Sequence, residues 1–109
     1  MKNGQYKICL KADGYSGEGD LSLSDDHGQG HDGAYAVELE LHGKGPSLNG
    51  IARIIMSPAV VHNSRMPERY SLPMSGVDHE DAFSLIGIGP LGLIVELNAQ
   101  WHSDLTGMP

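Results

Sequence analysis

From Gln5 to Leu41 apolar and polar residues alternate one by one, interrupted only by glycine-rich turns. Tyr6, Ile8 and Leu10 alternate with Lys7, Cys9 and Lys11. Leu21 and Leu23 alternate with Asp20, Ser22 and Ser24, and Tyr35, Val37, Leu39 and Leu41 alternate with Ala36, Glu38 and Glu40. Successive strand side chains point to opposite faces, so each run has one apolar and one wetted face. Runs of this kind in line predict an antiparallel meander.

Asp13-Gly14 turns the first hairpin, about residues 5 to 24, because glycine accepts the positive φ of a tight turn. The segment Asp25 to Gly33 reads as a loop, and the third strand follows from Ala34 to His42. After Gly43-Lys44-Gly45-Pro46, Leu48 to Met56 is a fourth strand whose inward face is ambiguous, since Arg53 shares a face with Ile51 and Ile55. Ser57 to Arg69 carries Pro58 and Pro67 and reads as a long connection across the outside or an end of the sheet, with room for one helical turn. Alternation resumes with Tyr70, Leu72 and Met74, then Phe83 and Leu85, then Leu91, Leu93, Val95, Leu97, Ala99 and Trp101 opposite Glu96, Asn98, Gln100 and His102. Pro73 falls on the outward set, which suggests an edge or a bulge.

Seven or eight short antiparallel strands with one apolar face best remove their free edges by closing on themselves. The expected fold is therefore all-β: a small antiparallel up-and-down barrel of the lipocalin or calycin kind, a single domain over residues 1–109. The inner set is Tyr6, Ile8, Leu10, Leu21, Leu23, Tyr35, Val37, Leu39, Leu41, Tyr70, Leu72, Met74, Phe83, Leu85, Leu93, Val95, Leu97 and Trp101. Likenesses between the halves, Tyr6 with Tyr70, Leu21-x-Leu23 with Phe83-x-Leu85 and Val37-Glu38-Leu39 with Val95-Glu96-Leu97, raise the question of a duplicated meander.

At 109 residues the chain has room for one core only. Seven Lys and Arg against fourteen Asp and Glu give a net charge of −7, which repels a phosphate backbone, so direct nucleic-acid binding is not expected. No stretch approaches the roughly 20 apolar residues of a helical membrane span. A lone Cys9 excludes an internal disulfide, and residues 1–4 lead straight into a strand with no apolar secretion core, so the expected compartment is the cytoplasm.

Gly87-Ile88-Gly89-Pro90-Leu91-Gly92 matches the dinucleotide pattern G-x-G-x-x-G, but a period-two strand follows it where a helix is needed, so it reads as a turn. Asp25 to Gly33 gathers two His and three Asp, without the spacing of a known zinc or calcium loop. Cys9 lies between Lys7 and Lys11, two charges that lower a thiol pKa in principle, yet an ordinary strand cysteine is the simpler reading. Gly17 and Gly19 on the inward face raise the possibility of space for a ligand. No nucleophile elbow, no Cys-His pair and no inward pair of carboxylates is present. The expectation is a non-enzymatic protein with no catalytic residues, no metal and no cofactor.

Lys2-x-Gly4-x-Tyr6-x-Ile8, then Gly17-x-Gly19-x-Leu21, then Gly28-x-Gly30-His31-Asp32 entering the next strand, resemble the GrlR-like family of small negative regulators of bacterial type III secretion. The resemblance implies a lipocalin-like barrel that holds a transcriptional activator inactive through its outer surface, without touching DNA, and that forms a homodimer. Two departures stand out. His31 replaces a second consecutive glycine, and alternating Glu38 and Glu40 followed by His42-Gly43-Lys44 replace the family's contiguous acidic stretch. Asp25, Asp26, Glu38 and Glu40 are the substitute partner-binding candidates. The alternative function is carriage of an apolar ligand inside the barrel.

Overall fold

The computed structural model describes residues 2–62 and 65–103. It is all-β: eight antiparallel strands follow one another around a closed up-and-down barrel of the small lipocalin-like kind. They are β1 Gly4–Ala12, β2 Tyr15–Ser24, β3 His27–His31, β4 Tyr35–Lys44, β5 Ser47–Met56, β6 Arg69–Asp78, β7 Ala82–Ile88 and β8 Ile94–Ser103. β8 returns to pair with β1, with Leu97 opposite Leu10. Closure leaves neither end of the meander as a free edge.

The glycine-rich segment from Asp25 to Gly33, expected to be a loop, instead supplies a turn and the short strand β3. Asp25 and Asp26 take φ of 50° and 69°, the two positive values that a two-residue hairpin of the I′ type needs. Gly28 and Gly30 then face inward, and the reason is space. A Cβ on Gly30 would lie 2.9 Å from the Asp20 carbonyl oxygen and 2.9 Å from a Leu21 methyl. A Cβ on Gly28 would press on Leu21 and Leu23 at 3.3 and 3.4 Å. The absence of apolar residues here marks a wall thinned to admit its neighbours' side chains. The following strand, expected over 34–42, runs as β4 to Lys44.

On β5 the ambiguous face resolves with Leu48, Ala52, Ile54 and Met56 buried, leaving Ile51, Arg53 and Ile55 in water. Pro73 faces outward on β6, beyond the segment Ser75–Asp78 that pairs with β7, so its missing N–H interrupts no ladder bond on that side. Tyr35, Val37, Leu39 and Leu41 share the buried side. Tyr70, Leu93 and Trp101 are only half-buried and pack on the core margin. Tyr6 meets Phe83 edge-on at 5.1 Å between ring centroids.

A duplicated meander finds no support in the registers. Leu21 lies opposite Tyr6, whereas its counterpart Phe83 lies opposite Asp78.

Both ends of the barrel carry side chains that tie the chain down. At one end the Ser57 to Arg69 connection contains α1, Pro58–Val61, and buries Met66; its positions 63 and 64 lie outside the described residues. Asp13, in the β1–β2 turn, accepts from the Arg65 backbone N–H at 2.6 Å and from its guanidinium at 2.7 Å, which fixes the connection across the end. At the other end the Lys2 ammonium lies 4.0 Å from the centre of the Trp101 ring and pairs with Asp81. The Tyr6 hydroxyl donates to the Lys2 carbonyl at 2.6 Å.

Candidate partner-binding surface

The registers fix which outward side chains are neighbours. Across β1, β2, β3 and β4, Lys7 lies opposite Asp20, Asp20 opposite His31, and His31 opposite Ala36. One pair along, Gln5, Ser22, Gln29 and Glu38 form the next row, and Ser24, His27 and Glu40 the one after. These strands therefore present a polar wall with acidic groups at intervals of one row.

Three of the four sequence candidates converge on this wall. Glu38 and Glu40 lie two residues apart on β4 and point outward, with Glu38 exposed and Glu40 half-buried. The Leu41 N–H donates to the Asp26 carbonyl at 2.8 Å, which brings the β2–β3 turn alongside Glu40. Asp25 sits in the same turn, but its backbone N–H is directed at the Asn3 side-chain oxygen at 3.2 Å, so it lies at the rim near the chain start. Arg53 approaches Glu38 and His42 approaches Glu40, each at 3.8 Å, too long for strong charge-assisted bonds. Both pairs are solvent-exposed, so neither ties up its carboxylate firmly.

Reading Asp25 to Gly33 as a loop hid three members of the wall. His27, Gln29 and His31 are exposed and alternate with the inward glycines of β3. The signal lay in the sequence as His27-Gly-Gln29-Gly-His31, a period of two in which glycine takes the apolar place. Asp20, on the polar face of β2 between Lys7 and His31, is a further acidic member of the wall. Its carboxyl lies below the usual carboxylate range because the Lys7 ammonium hydrogen-bonds it.

Other candidate chemistry dissolves into structure. Asp32 caps its own turn, accepting from the Ala34 and Tyr35 N–H groups at 2.5 and 3.2 Å. Among the described residues no group of three or more His, Cys, Asp or Glu side chains is placed to hold a metal ion. Cys9 is half-buried, 3.6 Å from the Ser16 hydroxyl. Gly87 and Ile88 end β7, paired with Val95 and Ile94, and the tight turn follows with a single 3-10 turn at Pro90–Gly92, where Leu91 and Gly92 take positive φ. The space at the inward glycines of β2 is taken: a Cβ on Gly17 would strike the Tyr15 ring, and one on Gly19 would meet the Tyr35 hydroxyl at 2.9 Å.

Tyr6 and Tyr35 are buried and Tyr15 and Tyr70 half-buried at the core margin, and all four phenols are pushed above their ordinary pKa, first by burial. Tyr70 reaches about 12, and Asp32 adds to the effect at Tyr15 and Tyr35. No helix among the described residues is long and apolar enough to cross a membrane. What the arrangement offers is an outer wall of carboxylates and amides suited to basic side chains, over a core filled mainly by apolar groups. Comparison with known proteins finds no matching family and no matching curated relative.

Proposed function

We propose that this protein is a non-enzymatic, cytoplasmic regulator of the GrlR-like kind that sequesters a basic protein partner, a transcriptional activator, against the β2–β4 wall. The observation that carries this reading is the convergence of Asp26, Glu38 and Glu40 on one exposed surface of a chain with net charge −7. Such a surface repels nucleic acid and attracts the basic face by which a DNA-binding protein contacts phosphate. Occupying that face blocks DNA binding by competition, with no chemistry required of the barrel.

The test is capture from the native host followed by mass spectrometry and a DNA-binding assay. The expected partner is a DNA-binding protein whose hold on its promoter weakens when this chain is added. Replacing Asp26, Glu38 and Glu40 together by Lys should weaken capture by about tenfold or more, and an unchanged partner on that variant removes the wall from consideration. Carriage of an apolar ligand gains nothing from the glycines of β2, whose free space Tyr15 and Tyr35 occupy. Native mass spectrometry that finds a bound lipid would restore it.

A further inference from the structure

The barrel wall is not laddered along its whole height between β6 and β7. β5 pairs with β6 from Arg69 to Val77, whereas β7 pairs with β6 only from Ser75 to Asp78 and then follows β8 as far as Ile88, opposite Ile94. The wall therefore parts along a seam from Arg69 to Met74, with Ile88 on its far lip. Hydrogen-bond parity shows what the seam exposes. The Met56 N–H donates to the Glu68 carbonyl and the Asp78 N–H to the Pro46 carbonyl, so even-numbered positions here bond β5. The His79 N–H donates to the Ala82 carbonyl, so odd-numbered positions face β7. By the period of two that a strand imposes, Arg69 and Ser71 turn N–H and C=O, and Pro73 its C=O, to a side where no ladder partner stands among the described residues. Pro73 has no N–H with which to carry the ladder on from Ser75. Arg69, Ser71 and Pro73 are all exposed.

We propose that this seam is the docking site for an extended acidic segment of a protein partner, which adds a short antiparallel strand to β6. A free strand edge pairs with backbone of any sequence, so the side chains around it define the partner. Arg69 stands on the lip and makes no ion pair among the described residues. Arg53 lies opposite Ser71 across the β5–β6 pairing and meets Glu38 only at 3.8 Å. Two of the seven Lys and Arg in a chain of net charge −7 thus stand over one stretch of free edge. At the other end of the seam the surroundings are apolar. A groove lined by Pro73, Ile86, Ile88 and Ile94 spans both lips where the wall parts, and Ile88 is 67% exposed. The segment that fits has an outward face with acid opposite Ser71 and Arg69 and an apolar residue opposite Pro73, and apolar residues between them that turn inward beside the half-buried Tyr70.

Charge decides against the other occupants. Two copies paired edge to edge bring Arg53 and Arg69 of both to one seam, where like charges oppose pairing. A basic segment meets the same repulsion. Pro73 and the charge on Arg69 are also what guard a free edge against indiscriminate pairing, so the seam selects its partner. The proposal does not rest on the sequestration reading, because it uses other strands and draws the opposite charge.

Amide exchange and peptide titration followed by nuclear magnetic resonance on the full chain test it. In the free chain the amides of Arg69 and Ser71 should exchange at least about tenfold faster than those of Tyr70 and Leu72, which parity directs to β5. The probe is a blocked heptapeptide, Ile-Val-Glu-Val-Glu-Val-Thr, whose outward face is isoleucine and two glutamates. It should slow exchange at Arg69 and Ser71 about tenfold at saturation, with a Kd on the order of 100 µM. A twin with lysine for both glutamates should bind at least about fivefold more weakly. A twin N-methylated at both glutamates, which cannot donate to the Arg69 and Ser71 carbonyls, should not bind. Ser71→Pro removes an N–H turned to the seam and none that β5 uses, so it should fold and lose the peptide. Arg69→Glu should reverse the preference between the glutamate and lysine peptides. Slow exchange at Arg69 and Ser71 in the free chain, at any protein concentration, means that the edge is already covered and overturns the proposal. No protection by the glutamate peptide at about 1 mM overturns it too, as does binding that survives both N-methylation and Ser71→Pro. Equal binding of the glutamate and lysine peptides overturns the acidic partner.

Discussion

Individual glycines and tyrosines carry much of what is unusual in this barrel, and each makes a measurable claim. A Cβ added to Gly76 would lie 1.7 Å from the Ser84 carbonyl oxygen, which only a backbone shift between β6 and β7 can relieve. Gly76→Ala should therefore cost ~2–3 kcal/mol in urea denaturation. Gly33, with nothing within 4 Å and no positive φ, is the matched control, and Gly33→Ala should stay within ~0.5 kcal/mol of wild type. Similar losses at both sites would refute the close-approach account. The tyrosines make a prediction in pH. Each folded phenol holds its proton above the ordinary value of about 10, so on raising pH the unfolded chain loses protons first. Stability from this source is fully present below about pH 10 and is lost as pH climbs through the folded values, about 12 at Tyr70. Phenolate absorbance should rise together with loss of circular dichroism in alkali. Four tyrosines ionising near pH 10 in a still-folded protein would contradict the burial that raises them.

At the level of elements, the sequence was legible wherever alternation used large apolar residues. The strands β1, β4 and β8, the turn after β7 at Pro90–Gly92, where the expected turn from Gly87 begins two residues too early, and the helical turn at Pro58–Val61 follow from pattern and from proline and glycine placement. The strand β3 did not, because its inward positions are Gly28 and Gly30 and its turn is Asp25-Asp26, where asparagine-glycine is the familiar signal. Its identity depends on partners remote in sequence: Leu21 and Leu39 fill the volume that a β3 side chain would need. The candidate surface was half legible for the same reason. Glu38 and Glu40 sit on a readable strand, while their neighbours His27 and Gln29 needed β3 to be recognised. The connection after β5 is a further element with a testable anchor. Asp13 accepts from both the backbone and the guanidinium of Arg65, and its φ of 45° favours Asp or Asn. Asp13→Asn keeps the turn but removes the charge, so amide exchange at Val60, Val61 and His62 should accelerate on the order of five- to tenfold while β4 is unaffected. Unchanged exchange in α1 would mean that Val60, Val61 and Met66 hold the connection without the ion pair.

For the molecule as a whole, the proposed capture on the β2–β4 wall should respond steeply to salt. It is a long-range attraction between unlike charges, and the screening length falls from ~10 Å at 0.1 M to ~3 Å at 1 M. Raising sodium chloride across this range should release the basic partner, whereas a contact that removes apolar surface from water is not screened by such salt. Pull-down at matched protein concentrations across the range checks it. A partner that stays through 1 M salt would move the contact off Asp26, Glu38 and Glu40 and onto apolar surface, such as the exposed Ile51, Ile86, Ile88 and Ile94 of β5 to β8.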